Sequence, residues 1–441
     1  MLRLHCVALT VVLSAGCGSV GNGHQPDAPP APDASTRGTI HVTVLDPSGT
    51  GAPAVGANVV FIDPGGTLVK RVATDSAGKA DADVLPGASV TSVARINNVY
   101  QLQTVLAVKP GDDLVLGVKS SDFTSLGTFT VNYPAFASAA NYEVAGPCGV
   151  LFISPPVAGG TPPTTATFTM SASCKVDPME LIVAPTDANF VPIAAIGKTG
   201  VPFVAGGSTT VTGSYQGVRS FTASYMNINP IVTSMSLSRT VPDTFGISSS
   251  LSVASPIPNQ AINLTGGVSG SNARLISRFT TATRSFQDVR QNLSGTAATY
   301  GLDATANLLP WIDQPTIDLA NRKLIIPLDT TGTSNAKPDL FRVSASYRRT
   351  DMNNVTTTFT WTIFAPEPGD IPLPALPPEA GDVLPTTTDT VGTVSAIMVE
   401  IDTVANYDAI RKDLNAAVTL YSGARPPATT VRSSSSPLQL R

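Results

Sequence analysis

Histidine is nearly missing from this chain: 441 residues hold three, His5, His24 and His41. His5 falls in an apolar amino-terminal leader and His24 in a Pro-rich stretch, so His41 alone lies in sequence that reads as folded. In Thr39-Ile40-His41-Val42-Thr43-Val44 the residues Ile40, Val42 and Val44 share one face of a strand, and His41 points the other way. Ser-His-Asp triads, Cys-His dyads and multi-histidine zinc sites all need a histidine in a defined place. Most hydrolytic mechanisms are therefore disfavoured, and the chain reads as a non-enzyme with no catalytic residue, no metal site and no cofactor. Charge is scarce as well: Asp, Glu, Lys and Arg make up 13%, with 27 basic against 31 acidic side chains and a net charge of −4. Without a basic cluster, nucleic acid is excluded as a partner. Beyond the leader no apolar run approaches about 18 residues, so no helix is expected to span a membrane.

The leader itself is informative. Arg3 supplies a positive start, Cys6 to Leu13 an apolar run too short to cross a bilayer, and Leu13-Ser14-Ala15-Gly16-Cys17 a run of small residues ending on cysteine. This stretch resembles a bacterial lipobox. The resemblance implies that residues 1–16 are a lipoprotein signal peptide, cut after Gly16, and that Cys17 is acylated on its thiol and its new amino group. Each buried methylene of an acyl chain contributes about 0.8 kcal/mol, so several chains anchor almost irreversibly. Gly18, in place of Asp, after the cysteine fits export past the inner membrane, to the outer membrane of a Gram-negative envelope, facing either periplasm or surface. Residues 17–36 are rich in Pro, Ala and Asp and bury no core, so they read as an extended tether of roughly 60 Å at about 3 Å per residue.

Four cysteines sort by position. Cys6 leaves with the signal and Cys17 takes the lipid. Cys148 and Cys174 remain as the pair available in an oxidising compartment, so a disulfide is expected; closing a loop of about 27 residues would stabilise by roughly 3–4 kcal/mol. A two-thiol metal site is the sharper alternative, but no histidine lies near either cysteine.

What is abundant is Thr, Ser, Val, Ala, Gly and Pro, the composition of secreted all-β modules. The expected fold is an all-β string of β-sandwich (immunoglobulin/transthyretin-like) domains with a short C-terminal helix. Residues 37–121 carry seven alternating segments separated by turn signals such as Asp63-Pro64-Gly65-Gly66 and Asp75-Ser76-Ala77-Gly78. Gly38 to Val44, Pro53-Ala54-Val55-Gly56-Ala57-Asn58-Val59, Thr74 to Gly78 and Leu85-Pro86-Gly87 resemble the carboxypeptidase regulatory-like modules, a transthyretin-like sandwich family. That resemblance implies a spacer or binding role without chemistry. Residues 127–227 read as a second sandwich holding the cysteine pair, its short spacing suiting a local clasp. Residues 230–366 read as a third β-domain, 367–390 as a Pro-rich arm on the surface, 391–424 as a late strand and a helix over Asn406 to Val418, and 425–441 as a flexible Ser-rich tail.

Two tryptophans are candidates for a sugar platform. Trp361 alternates with Phe359 and Ile363 and reads as core. Trp311, bracketed by Pro310 and Pro315 and followed by Asp313 and Gln314, is the weak ligand-binding candidate: its ring would stack on a sugar while Asp313 and Gln314 hydrogen-bond hydroxyls. The blander and favoured reading makes it a plug at the end of a sandwich. Asp81 and Asp83 share a strand face and Asp112-Asp113 a turn. Neither pair approaches the six to eight oxygens of a calcium site, and solvated faces explain both. The sequence thus points to a lipid-anchored envelope protein with a structural or adhesive role, its partners the membrane through Cys17 and either an envelope polysaccharide or another surface protein. The rivals are a glycan-binding module using Trp311 and, less favoured, a histidine-independent carboxylate hydrolase.

Overall fold

A computed structural model describes residues 36–117, 124–157, 159–242, 246–334, 336–412, 414 and 428–437. Residues 1–36 and 37–441 form separate units, and the fold described here is that of the second; the lipobox and nearly all of the tether lie outside the described residues. Two-residue alternation builds the strands, as in Gly38–Val44, which buries Ile40, Val42 and Val44 and exposes His41. On the outer face of that strand Thr39 donates to Asp83 at 2.6 Å and the His41 ring lies 2.8 Å from Asp81.

The chain is all-β, and its sandwiches share a sheet. Among the described residues a twelve-stranded sheet runs, in spatial order, through Ile247–Ala254, Val232–Val241, Asn272–Thr281, Phe286–Ser294, Thr430–Ser435, Thr390–Ile401, Leu340–Thr350, Thr356–Ala365, Val99–Val108, Ala88–Ile96, Asn58–Ile62 and Leu68–Ala73. One parallel joint, Thr356–Ala365 on Val99–Val108 with Trp361 opposite Leu102, splices the strands of residues 58–108 onto those of residues 232–435.

Each layer facing this sheet has its own core. Lys79–Val84, Gly38–Val44 and Asp113–Leu116 close one end over Val59, Phe61, Val90 and Val105. Arg219–Met226, flanked by Gln260–Gly267 and Thr299–Asp303, closes the other end over Leu237, Leu275 and Phe279. The strand Arg219–Met226, read from the sequence as the end of the second sandwich, thus packs with later residues. Residues 125–217 form a separate sandwich, a five-stranded sheet (Gly149–Ile153, Asn141–Gly146, Met179–Thr186, Ala194–Val201, Gln216–Gly217) facing a three-stranded one (Thr165–Ser171, Ser125–Asn132, Gly207–Thr210) across Phe129, Phe168, Tyr142, Leu181 and Val183.

Near the C-terminus one expectation needs correction. Of the helix read over Asn406 to Val418, the described residues show Tyr407–Arg411, with the Asn406 side chain accepting from the Ala409 amide as N-cap; residues 413 and 415–427 lie outside the described residues. The Ser-rich segment expected to be a flexible tail contains instead a strand at the middle of the long sheet, Thr430–Ser435, paired with both Phe286–Ser294 and Thr390–Ile401. Its serines are buried, and small side chains let the neighbouring layers close over it. That is why an apolar pattern did not announce it.

Candidate functional site

Of the residues singled out from the sequence, Cys17 lies outside the described residues. Cys148 and Cys174 form a disulfide, with Cα atoms 5.0 Å apart. Cys148 sits in the turn between Asn141–Gly146 and Gly149–Ile153, and Cys174 ends the short helix after Thr165–Ser171. Gly149–Ile153 and Thr165–Ser171 are edges of opposite sheets, so the bridge staples the two sheets at one side of the sandwich, where a local clasp had been favoured over an inter-sheet bridge.

Trp311 does not offer a platform. It is 1% exposed, packed with Phe221, Leu237, Phe279 and Leu302, and its two-residue strand Trp311–Ile312 pairs with Leu328–Asp329. The Asp313 amide donates to the Pro327 carbonyl and the Gln314 side chain to the adjacent Pro315 carbonyl. Both carry partly or fully exposed side chains, but the ring that would stack on a sugar has no free face. The acidic pairs also separate: Asp81 and Asp83 are exposed, whereas Asp112, read as solvated, is buried against Arg411 at 2.7 and 3.1 Å. Among the described residues no group of three or more His, Cys, Asp or Glu could hold a metal ion.

The tertiary structure builds a polar cleft elsewhere. The hairpin of Ala88–Ile96 and Val99–Val108 turns at Asn97, whose positive φ of 52° suits asparagine better than most residues. Tyr100, just past that turn, stacks on Phe359 with centroids 5.2 Å apart, and Phe359 stacks on Tyr347 at 4.8 Å. Arg95 caps the column, its guanidinium 5.0 Å from the Tyr100 ring centre, with its Nε donating to the Asn97 carbonyl at 2.7 Å. Gly381, left-handed at φ 116°, brings the Pro-rich arm so close to Tyr100 that a Cβ there would lie 3.3 Å from the ring. Between arm and hairpin opens a cleft of about 310 Å³ lined by Asp46, Asn58, Arg95, Tyr100 and Gly381. Ser48, through its hydroxyl and its amide, holds the Asp46 carboxyl below the usual carboxylate range. The cleft therefore offers a fixed anion, a guanidinium and an amide at one mouth, a set suited to polyol hydroxyls or an acidic group.

The arm forming one wall is pinned. Arg349 donates from Nε and Nη2 to the two Asp389 oxygens at 2.9 Å each, and to the carbonyls of Asp382 and Leu384 at 2.8 and 2.7 Å. Its guanidinium also lies 5.2 Å from the Phe359 ring centre. Tyr100 was missed from the sequence because its partners arrive from residues 359 and 381, and Arg95 with it because it caps that ring. The Asn97-Asn98 turn beside an aromatic was the available signal.

No family model matches the chain, and no curated protein matches it. Structural comparison places it beside the Bacillus anthracis TIE protein (10% identity, 61% of this chain and 50% of that one, TM-score 0.15) and two B repeat units of the collagen-binding protein of Staphylococcus aureus (13%, 83% and 96%, TM-score 0.14). BcpA, the major pilin subunit of Bacillus cereus, matches at 9% identity over 60% of this chain and 98% of that one, TM-score 0.14. The chain spans half the length of the TIE protein. At these scores the β-sandwich assignment rests on the sheets and cores described above.

Proposed function

We propose that this protein is a lipid-anchored component of the bacterial cell envelope with a non-enzymatic structural or adhesive role, held at the outer membrane through Cys17. The observation that supports this reading best is the splice in the long sheet. Strands from residues 58–108 and from residues 340–435 share one hydrogen-bonded sheet, and the buried Arg411–Asp112 pair ties the last helix to the first sandwich. A rod or spacer under load benefits from such long-range closure, because neither half can peel away without breaking pairing in the other. Labelling with a fatty-acid analogue tests the anchor: the wild-type chain should take up label and sediment with membranes, and Cys17→Ser should lose both. Equal labelling of the variant would overturn it.

The cleft at Arg95 and Tyr100 favours a second reading, in which the same scaffold recognises an envelope polysaccharide. A glycan array probed with wild type and Arg95→Ala separates the two. Binding that falls at least tenfold in the variant, without turnover of the bound sugar, supports recognition; no binding by either leaves the structural role alone.

A further inference from the structure

The five-stranded sheet of the middle sandwich carries a second polar feature on the face turned away from its core. Glu143 lies directly opposite Phe152 on one neighbouring strand and Ala184 on the other. Asn141 and Thr186, also opposite one another, lie two residues further along the same face. Side chains directly opposite in an antiparallel pair have Cβ atoms about 4.5–5.5 Å apart, so Glu143 stands against Phe152. Glu143 is 8% exposed and, among the described residues, makes no hydrogen bond or ion pair; Thr186 is fully buried and its hydroxyl has no partner. Buried polar groups are nearly always satisfied, and here the Thr186 hydroxyl is not, while the Glu143 carboxyl beside it has no protein partner among the described residues. Burial pushes the Glu143 carboxyl up to about 7.

Over this floor stands an exposed aromatic pair. Phe152 is 61% and Phe190 43% exposed, with ring centres 5.9 Å apart and planes at 81°. Phe190 occupies the tip of the loop after Thr186 in a left-handed conformation, φ 59°, uncommon for a bulky residue. The loop is held by Asp187, which accepts from the Asn189 and Val191 amides at 2.9 Å.

We propose that this is a binding site for a primary alkylammonium group, whose charge meets Glu143 and whose methylenes and cation lie against Phe152 and Phe190. A carboxylate without a counter-charge selects a cation, and aromatic faces add attraction for it. A neutral polyol would leave the carboxylate unpaired. The same chemistry is offered by a small free amine and by a lysine side chain of a partner protein.

The test uses the full chain, with n-pentylammonium, neutral n-pentanol and the peptide acetyl-Gly-Lys-Gly-amide as probes, followed by NMR of the Phe152 and Phe190 ring signals and by calorimetry. The proposal expects saturable shifts with the two cations, at least tenfold weaker binding of pentanol, and at least tenfold weaker cation binding by Glu143→Gln. Phe152→Ala should weaken binding severalfold and serves as the second variant if Glu143→Gln melts abnormally. Peptide binding tenfold tighter than pentylammonium assigns the site to a partner's lysine, and equal binding to a small amine. Equal affinity for pentanol and pentylammonium, unchanged binding in a well-folded Glu143→Gln, or no binding of either cation overturns the proposal.

Discussion

Trp311 shows how a residue's neighbours decide its meaning. Two prolines and two polar residues around it kept a surface ring open beside the favoured reading of a buried plug, and its indole fills the core with Phe221 and Phe279. Trp311→Ala should therefore lower stability by roughly 3–5 kcal/mol in denaturant unfolding. Among the described residues the buried Nε1 has no hydrogen-bond partner, so Trp311→Phe should cost clearly less, since no bond is lost with the indole N–H. A near-zero effect of the alanine variant would mean that the ring is not core. Glu143 offers a pH test. Burial raises its carboxyl from the ordinary 4.5 to about 7, so the folded state holds the proton more tightly than the unfolded chain. Its contribution to stability is complete below about pH 4.5, declines as pH rises towards 7, and is lost above that. Glu143→Gln should remove this component, leaving the variant relatively more stable at pH 8 than at pH 5 when compared with wild type. Parallel pH–stability curves for the two proteins would refute the assignment.

At the scale of elements, the Pro-rich arm was legible as an arm, because proline cannot donate to a ladder and repeated prolines favour extended chain. Where it docks was not legible. Ile371, Leu373, Leu376 and Val383 cover Phe341, Tyr347 and Trp361 on the long sheet, and the Arg349 fork fixes its far end at Asp389. Burial alone would raise the Asp389 carboxyl, but the hydrogen bonds from Arg349 and Thr386 hold it below its ordinary value. Its side chain is fully buried, so Arg349→Ala leaves a carboxylate without its counter-charge, at a cost of about 3–5 kcal/mol. Limited proteolysis should then cut residues 367–390 well before the rest of the chain. Unchanged protection would show that the apolar contacts suffice. The strands with regular alternation, such as Gly38–Val44, Lys79–Val84 and Leu340–Thr350, were readable within a residue or two. Asn141–Gly146 was not, because it is buried on both faces and shows no alternation.

For the whole molecule, the decisive element is the one the sequence advertised least. Thr430–Ser435 sits between strands that begin some 40 and 144 residues before it and joins the two halves of the long sheet. A chain ending at residue 428 should lose cooperative unfolding, or unfold at markedly lower denaturant, as judged by circular dichroism; a frayed tail would be removable without effect. By itself the sequence determined the all-β class, the strand pattern of residues 37–117 and the pairing of Cys148 with Cys174. Those properties follow from period-two alternation, turn residues at fixed offsets and a scarcity of thiols, all local or countable. Only the tertiary structure decided that strands of residues 58–108 and of residues 340–435 share one sheet, that Trp311 is interior, that Asp112 is paired with Arg411, and that Glu143 has no partner among the described residues. Each of these depends on groups brought together across tens to hundreds of residues, and burial and pairing at that range leave no periodic trace in the chain.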